Sequence, residues 1–393
     1  MKLLVHSLTF PPDNISTGKL VSELANGISN HGYEVTVLAS TPQYNPDKTA
    51  EKEQPLKYYS KNIFQSKYKN ITVFHIESNV RSYTKAKRAM QWLSYHSSSI
   101  KFLFKRRKSF DKILIFSYPP TMNLVVIFCS LILKKEVIYS LWELYPEVAL
   151  NLGEVTRGLV SKPFKILDNY ALKRSSVVVN SNELKNYLVN NRKVKSSINV
   201  IYHFSPENNE QLETDSIDRL NKTIVYAGNF GKPQGLDSLI DTFKKSNDGT
   251  WKLELIGNGA LYKEIKLLES DYINIYPYLT KNELNKKLQD TQIMVVSLSN
   301  KLTMEGFPGK TFDYLSRGKY ILSYSNPNSA LANFINEHKL GINISPGDDS
   351  SLKKFMEEIH PGEVVDTSKR AIKISSSLFS REAAVSKYLD LVN

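Results

Sequence analysis

The stretch from Ile293 to Ser323 constrains the fold more than any other. Ile293–Leu298 (IMVVSL) is short, apolar and rich in β-branched residues, which predicts a buried strand. Phe307-Pro308-Gly309 marks a turn, Lys310–Arg317 reads as a short helix, and Gly318 stands where a left-handed stop belongs. Tyr320–Ser323 supplies the next strand. A strand that reaches the next through a helix predicts a parallel, doubly wound α/β sheet. The turn presents bare backbone N–H groups at the positive end of a helix dipole, so it suits an anion.

The side chains extend that reading. Lys310 and Asp313 lie three residues apart on one helical face, about 4.5 Å apart along the axis. Lys310 is placed to meet a phosphate, with Gly309 and Thr311 beside it, and Asp313 to accept hydrogen bonds from ribose hydroxyls. Glu305, ahead of the turn, is placed to reach a sugar beyond the phosphates. The competing reading is an exposed Lys310–Asp313 ion pair worth roughly 0.2–0.5 kcal/mol. Glu305, the Pro-Gly turn and the flanking strands together favour the binding site.

Glu305 and Asp313 are separated by seven residues. The stretch resembles the Glu-seven-Glu motif of GT-B glycosyltransferases, especially glycosyltransferase family 4. PGKTFDYLSRGKYIL also resembles the P-S-K-x-x-E-Y-x-x-x-G-K-P-I form of the family's bacterial surface-polysaccharide branch. The resemblance implies that Glu305 contacts the transferred sugar and Asp313 holds the nucleotide ribose. Asp313 is one methylene shorter than the family's glutamate.

The same alternation runs through the first half. Lys2–Val5, a loop over Thr9–Lys19, a helix from about Leu20 to Asn30 and the strand Glu34–Ala39 form one β-loop-α-β unit. Gly18 either lets a phosphate or sugar approach the backbone or serves a plain turn; the resemblance favours the former. Residues Thr41–Asn62 read as a polar excursion, and Ile71–Ile76 as a strand. Lys112–Ser117 and Val137–Leu141 are further strands, followed by Tyr118-Pro119-Pro120 and by Trp142-Glu143-Leu144-Tyr145-Pro146-Glu147. These tails resemble the family branch's S-P-P turn and D-L-W-P-E stretch. Glu143 then stands at the Asp position, either orienting or deprotonating an acceptor hydroxyl, or pairing with a nearby base. Ser176–Asn180 and Asn199–Tyr202 complete this half. His203, at the end of the last strand, reads first as structural, and no equivalent of the family's first-half histidine is evident.

Ser205–Asn221 is polar and acid-rich and reads as the linker. Beyond it, the strand Thr223–Tyr226, the Ala227–Gly231 turn and the helix Leu236–Lys245 resemble the family's Y-A-G-N-x-G segment, which puts Gly228 against the donor. Where the family commonly carries an Arg and a Lys for the diphosphate, this chain has Asn229 and Gln234. The strand Lys252–Ile256 ends in Gly257-Asn258-Gly259, and Asn274–Tyr278 brings Tyr278 towards a nucleobase. Asn258 joins the donor-binding set. Gly341–Ile344 with Ser345-Pro346-Gly347-Asp348 resembles the family's G-x-x-x-x-P-G-D ending. The expected organisation is two Rossmann-like domains facing across a cleft: residues 1–205, residues 206–379, and a last helix, 380–393, crossing back to the first.

Lys and Arg number 52 against 39 Asp and Glu, a net charge of +13 that favours anionic partners. Much of the excess lies in Arg81–Lys112, where basic residues interleave with aromatic and aliphatic ones. Arg88, Trp92, Lys105, Arg106, Arg107 and Lys108 are the expected contacts with an anionic membrane surface; an ordinary surface helix is the alternative. No helix-turn-helix, zinc or RNP pattern accompanies the charge, so no nucleic-acid partner is expected. One cysteine, Cys129, excludes an internal disulfide. Leu3–Val5 is too short for a signal peptide and Leu124–Leu133 too short to span a bilayer. A cytoplasmic protein, peripheral on the inner face of the cell membrane, is expected.

The expected reaction is retaining transfer of a hexose-type sugar from a nucleotide diphosphate sugar, UDP-linked ahead of GDP-linked, to a lipid-linked or glycan acceptor. No other cofactor is expected, and no metal, since no Asp-x-Asp triplet occurs. Two alternatives stay open: a nucleotide-sugar 2-epimerase on the same fold, and an inactive membrane-associated partner subunit.

Overall fold

The structure is a computed structural model. It describes residues 1–80, 84–153, 155, 158, 161–206, 211, 217–303 and 308–393. The chain divides into two compact units. The first comprises Met1–Leu150, Val155–Pro206 and Arg381–Asn393, the second Asn151–Glu154 and Glu207–Ser380.

The first unit runs β1 (Lys2–His6), α1 (Ser16–Asn30), β2 (Glu34–Ser40), α2 (Lys48–Glu53), β3 (Lys57–Ser60), β4 (Ile63–Tyr68) and β5 (Ile71–Ile76). It continues with α3 (Lys85–Lys105), β6 (Lys112–Phe116), α4 (Asn123–Leu131), β7 (Glu136–Leu141), α5 (Glu147–Asn151), α6 (Ser161–Leu172), β8 (Ser176–Val179), α7 (Asn182–Asn190) and β9 (Ile198–Val200). The nine strands form one sheet in the order β3-β4-β5-β2-β1-β6-β7-β8-β9. From β5 to β9 all pairs are parallel. β4 joins β5, and β3 joins β4, antiparallel.

That edge hairpin was not legible in the sequence. Its strands KYYS and IFQSKY lack a clean alternation, and β4 is held by its ladder to β5. The supposed polar excursion thus contains α2 and β3. Helix α1 starts at Ser16 rather than near Leu20, because its first turn is polar and the apolar periodicity begins only in the second.

Right-handed crossovers put helices on both faces of this sheet. The step from β1 to β2 runs one way along the sheet and carries α1. The steps β5 to β6, β6 to β7 and β7 to β8 run the other way and carry α3, α4 and α6 on the opposite face. The C-terminal helix α15 (Arg381–Val392) packs on α1. Its Ala384, Val385, Tyr388 and Val392 are buried with Val21, Leu24 and Ile28 in the core of this unit.

The second unit runs β10 (Thr223–Asn229), α8 (Leu236–Ser246), β11 (Lys252–Asn258), α9 (Tyr262–Lys266), β12 (Ile273–Tyr276), α10 (Lys281–Asp290) and β13 (Ile293–Ser297). Then come α11 (Gly309–Ser316), β14 (Tyr320–Tyr324), α12 (Ala330–His338), β15 (Gly341–Ile344), α13 (Asp349–Glu358) and α14 (Pro361–Leu378). Its six strands are all parallel in the order β12-β11-β10-β13-β14-β15, the Rossmann order. Part of the expected linker belongs to this unit, since Ile217 and Leu220 pack against its core.

Candidate functional site in the second unit

In a doubly wound sheet the ligand crevice opens beyond the carboxyl ends of the strands where the order reverses. Here that point lies between β10 and β13, because the chain leaves β10 towards β11 and returns on the other side at β13. Three segments emerge there: the Gly228 turn, the Asn258-Gly259 turn beside it, and the first turn of α11.

Tyr314 fixes α11 against β10. Its hydroxyl donates to the carbonyl of Ala227 at 3.0 Å and accepts from the Ala227 N–H at 3.1 Å. Helix α11 begins after Pro308, which has no side chain to cap the first N–H groups. Gly318 closes the helix with φ 69°, as the sequence predicts.

Lys310 leaves this first turn and buries its Nζ 3.6 Å above the centre of the Tyr226 ring. Among the described residues the ammonium has no hydrogen-bond partner, and neither has the buried hydroxyl of Thr311, the next residue in the chain. Burial alone pulls the Lys310 pKa down to about 7. A Cβ at Gly228 would overlap that ammonium, one at Gly257 the Gly228 carbonyl, and one at Gly259 the Phe230 carbonyl. The three glycines therefore let the turns and the lysine share one small volume. Two adjacent orphaned polar groups beside an uncapped helix start suit an anion with several acceptor oxygens.

Asp313 is half-buried and pairs with Arg317 at 3.4 Å, which in turn donates to Asn285 at 2.9 Å. The Lys310–Asp313 pair considered as the alternative does not form, since Lys310 turns inward to Tyr226. Arg317 is buried, so Asp313 is held in place by a neighbour that sequence reasoning missed. Tyr226 was missed too, because every residue of a central parallel strand reads as core.

Asn229 and Gln234 do not stand out as donor contacts. The Gln234 amide oxygen accepts from the Gly231 N–H at 3.1 Å, which closes the turn after β10. Asn229 reaches the same oxygen at 3.5 Å. The Asn258 side chain accepts from the Gly259 N–H at 2.8 Å, shaping its own turn. Tyr278 is exposed, with its hydroxyl 3.4 Å from the Asn258 carbonyl. Gly309 is exposed, and nothing lies where a Cβ would sit. Glu305 lies outside the described residues.

In the first unit Glu143 is exposed beyond β7, and the Tyr145 hydroxyl lies 3.4 Å from it. The segment around it is anchored by a buried network invisible in sequence. Arg192 donates to both Glu147 oxygens at 2.8 Å and to the Tyr145 carbonyl at 2.8 Å, and meets Asp168 at 3.3 Å. Gly18 offers no open approach: it sits inside α1, and a Cβ there would press on Phe10 and the Asp13 carbonyl of its own loop. Its small size serves that packing.

The residues expected to touch a membrane divide. Trp92 turns edge-on to Tyr118, and Arg88 lies over the Trp92 ring. Arg106 lies 4.4 Å from the centre of the Phe74 ring and donates to the Tyr59 hydroxyl at 2.6 Å, so it caps an aromatic cluster instead. Lys105, Arg107 and Lys108 are exposed. Among the described residues no helix is long and apolar enough to cross a membrane.

Residues 208–375 match the family model of the glycosyl transferases group 1. No curated protein sequence matches the chain. Solved structures match it throughout. A sucrose-phosphate synthase from Thermosynechococcus elongatus is 14% identical with a TM-score of 0.72, over 100% of this chain and 98% of that one. Anabaena Alr3699/HepE, in complex with UDP and glucose, is 12% identical with a TM-score of 0.68, over 100% and 99%. WaaG, a glycosyltransferase involved in lipopolysaccharide biosynthesis, is 11% identical with a TM-score of 0.66, over 100% and 99%. The shared architecture shows the GT-B fold of two Rossmann-like domains, and the group 1 match lies in the second unit.

Proposed function

We propose that the chain moves a sugar, with retention of anomeric configuration, from a UDP-sugar to a lipid-linked or glycan acceptor in the assembly of a bacterial surface polysaccharide. One observation carries the donor reading: the unpartnered Lys310 ammonium and Thr311 hydroxyl at the uncapped start of α11. The choice of UDP leans on the likeness to Anabaena HepE, whose structures hold UDP and UDP-glucose.

In this mechanism the glycosyl carbon gains oxocarbenium character as the diphosphate departs. The N–H groups around Gly228 and Gly309 stabilise the leaving charge, and Lys310 swings its flexible stem from Tyr226 to join them. Such electrostatic stabilisation is usually the largest catalytic contribution. Asp313, held by Arg317, orients the ribose; Glu305 orients the sugar; Glu143 assists the acceptor hydroxyl.

The use of Asn229 and Gln234 inside their own turn favours one second reading, a partner subunit that keeps the fold without activity. Thermal-shift screening of nucleotide sugars, followed by a radiolabelled-donor assay, separates the readings. Donor stabilisation with label transferred only when an acceptor is added supports the transferase. Conversion without acceptor indicates an epimerase, and no stabilisation by any nucleotide sugar indicates the subunit.

A further inference from the structure

The two helical faces of the first unit differ in kind. On one face α1 and α15 cover each other, and none of the large exposed apolar side chains among the described residues lies on either helix. On the other, α4 packs between α3 and α6, and all three leave apolar groups in solvent. Met90 and Leu93 of α3 are each 61% exposed, Ile132 at the end of α4 is 62% exposed, and Ile166 of α6 is 69% exposed. Leu167 and Tyr170 lie beside Ile166 on α6, and Phe104 extends the row on α3. Helix α4 itself (NLVVIFCSL) carries no charge at all.

Charge follows the same face. The only acidic residue on these three helices is Asp168, and it is buried. Lys87, Lys101, Lys105, Arg107 and Lys108 are exposed along or just after α3, and Lys162, Lys173 and Arg174 at the two ends of α6. The Arg174 guanidinium lies 4.5 Å from the centre of the Tyr170 ring, so its stem follows the apolar surface while its head stays at the rim.

We propose that this α3–α4–α6 face docks the first unit on an anionic lipid bilayer. Ile132, Ile166, Leu167 and Tyr170 sink among the upper acyl chains, and the α3 and α6 cations meet lipid phosphates. The occupant is set by the charge: an apolar strip rimmed by uncompensated cations complements a surface that is greasy inside and negative at its edge. A second copy of the chain would bring the same cations against themselves. The docking element is thus not the basic run of α3 alone. Trp92 and Arg106 face inward, while α6, which the sequence gives no reason to single out, supplies the most exposed apolar group. The inference is independent of the donor reading.

The test is cosedimentation of the full chain with phosphatidylcholine vesicles containing about 30% phosphatidylglycerol. Ile166→Ser with Leu167→Ser should weaken binding at least about tenfold. Neutralising Lys105, Lys108 and Lys173 to Gln should weaken it about fivefold per charge, since each contributes about 1 kcal/mol near such a surface. Lys387→Gln on α15 should change nothing. Unchanged melting temperatures in all variants keep misfolding out of the comparison. Binding that survives the Ile166 and Leu167 changes overturns the proposal. So do equal losses from Lys387→Gln, or a loss of self-association in sedimentation velocity with vesicle binding untouched.

Discussion

Lys310 holds its ammonium 3.6 Å from the centre of the Tyr226 ring and donates to nothing among the described residues. Lys319, nine residues on in sequence, is also buried, and burial lowers its pKa to about 7 as well, yet it donates to the Gln289 carbonyl at 3.1 Å. The contrast separates a structural lysine from one that waits for a partner. The ring offsets some of the desolvation, about 2 kcal/mol for an enclosed cation. It leaves the three N–H donors unused.

Replacing that amine should damage binding and spare the fold. Lys310→Met is expected to weaken UDP-glucose binding by about 10- to 100-fold, the worth of a charged hydrogen bond of roughly 1.5–3 kcal/mol. Isothermal titration calorimetry gives the affinity and a thermal melt the stability. Full affinity in the variant would remove Lys310 from the donor site.

The same lysine makes binding depend on pH. Its pKa falls from the usual 10.5 to about 7 in the folded chain. Between these values the unfolded chain carries a proton that the folded one lacks, so this group makes stability rise with pH across that window. Phosphate favours the charged amine, so the sign reverses for the ligand: binding takes up a proton and weakens as pH climbs above about 7. Calorimetry in buffers of different ionisation heat should detect the uptake in the native chain and none in Lys310→Met.

Arg192 should matter to stability more than any exposed charge. Among the described residues, Arg192→Leu leaves Asp168 buried without its cation and Glu147 with only the cation of Lys165 at 3.7 Å, and is expected to cost about 3–5 kcal/mol. Asp241 with Lys245, an exposed pair at 2.7 Å, should cost much less when broken. Urea unfolding of the two variants compares them directly, and equal midpoints would show that the buried network carries no special weight.

The seat of the last helix can be tested at Gly27. A Cβ there would strike the Val385 side chain on α15. Gly27→Ala is expected to destabilise the protein by about 1–3 kcal/mol through overpacking, despite the better helix propensity of alanine. A smaller companion change, Val385→Ala, should restore part of the loss in a double-mutant cycle. Additive effects would mean that the two helices do not press on one another at this point.

The sequence by itself determined the alternation of strands and helices, and with it the parallel core of both sheets. Short β-branched runs such as IMVVSL and KILIF read as strands because local composition and spacing specify them. It also determined the turns that must be bare, at Gly228, Gly257 and Gly318, because a side chain fits poorly there. What only the tertiary structure decided depends on partners far apart in the chain. Tyr226 lies under Lys310 across 84 residues, and Arg192 reaches Glu147 across 45. Gly18 and Arg106 were turned to packing by neighbours no local pattern names. The β3–β4 edge hairpin and the exposed apolar row on α6 escaped for the same reason. A side chain's chemistry is local, but its burial and its partner are set by whatever the fold brings alongside.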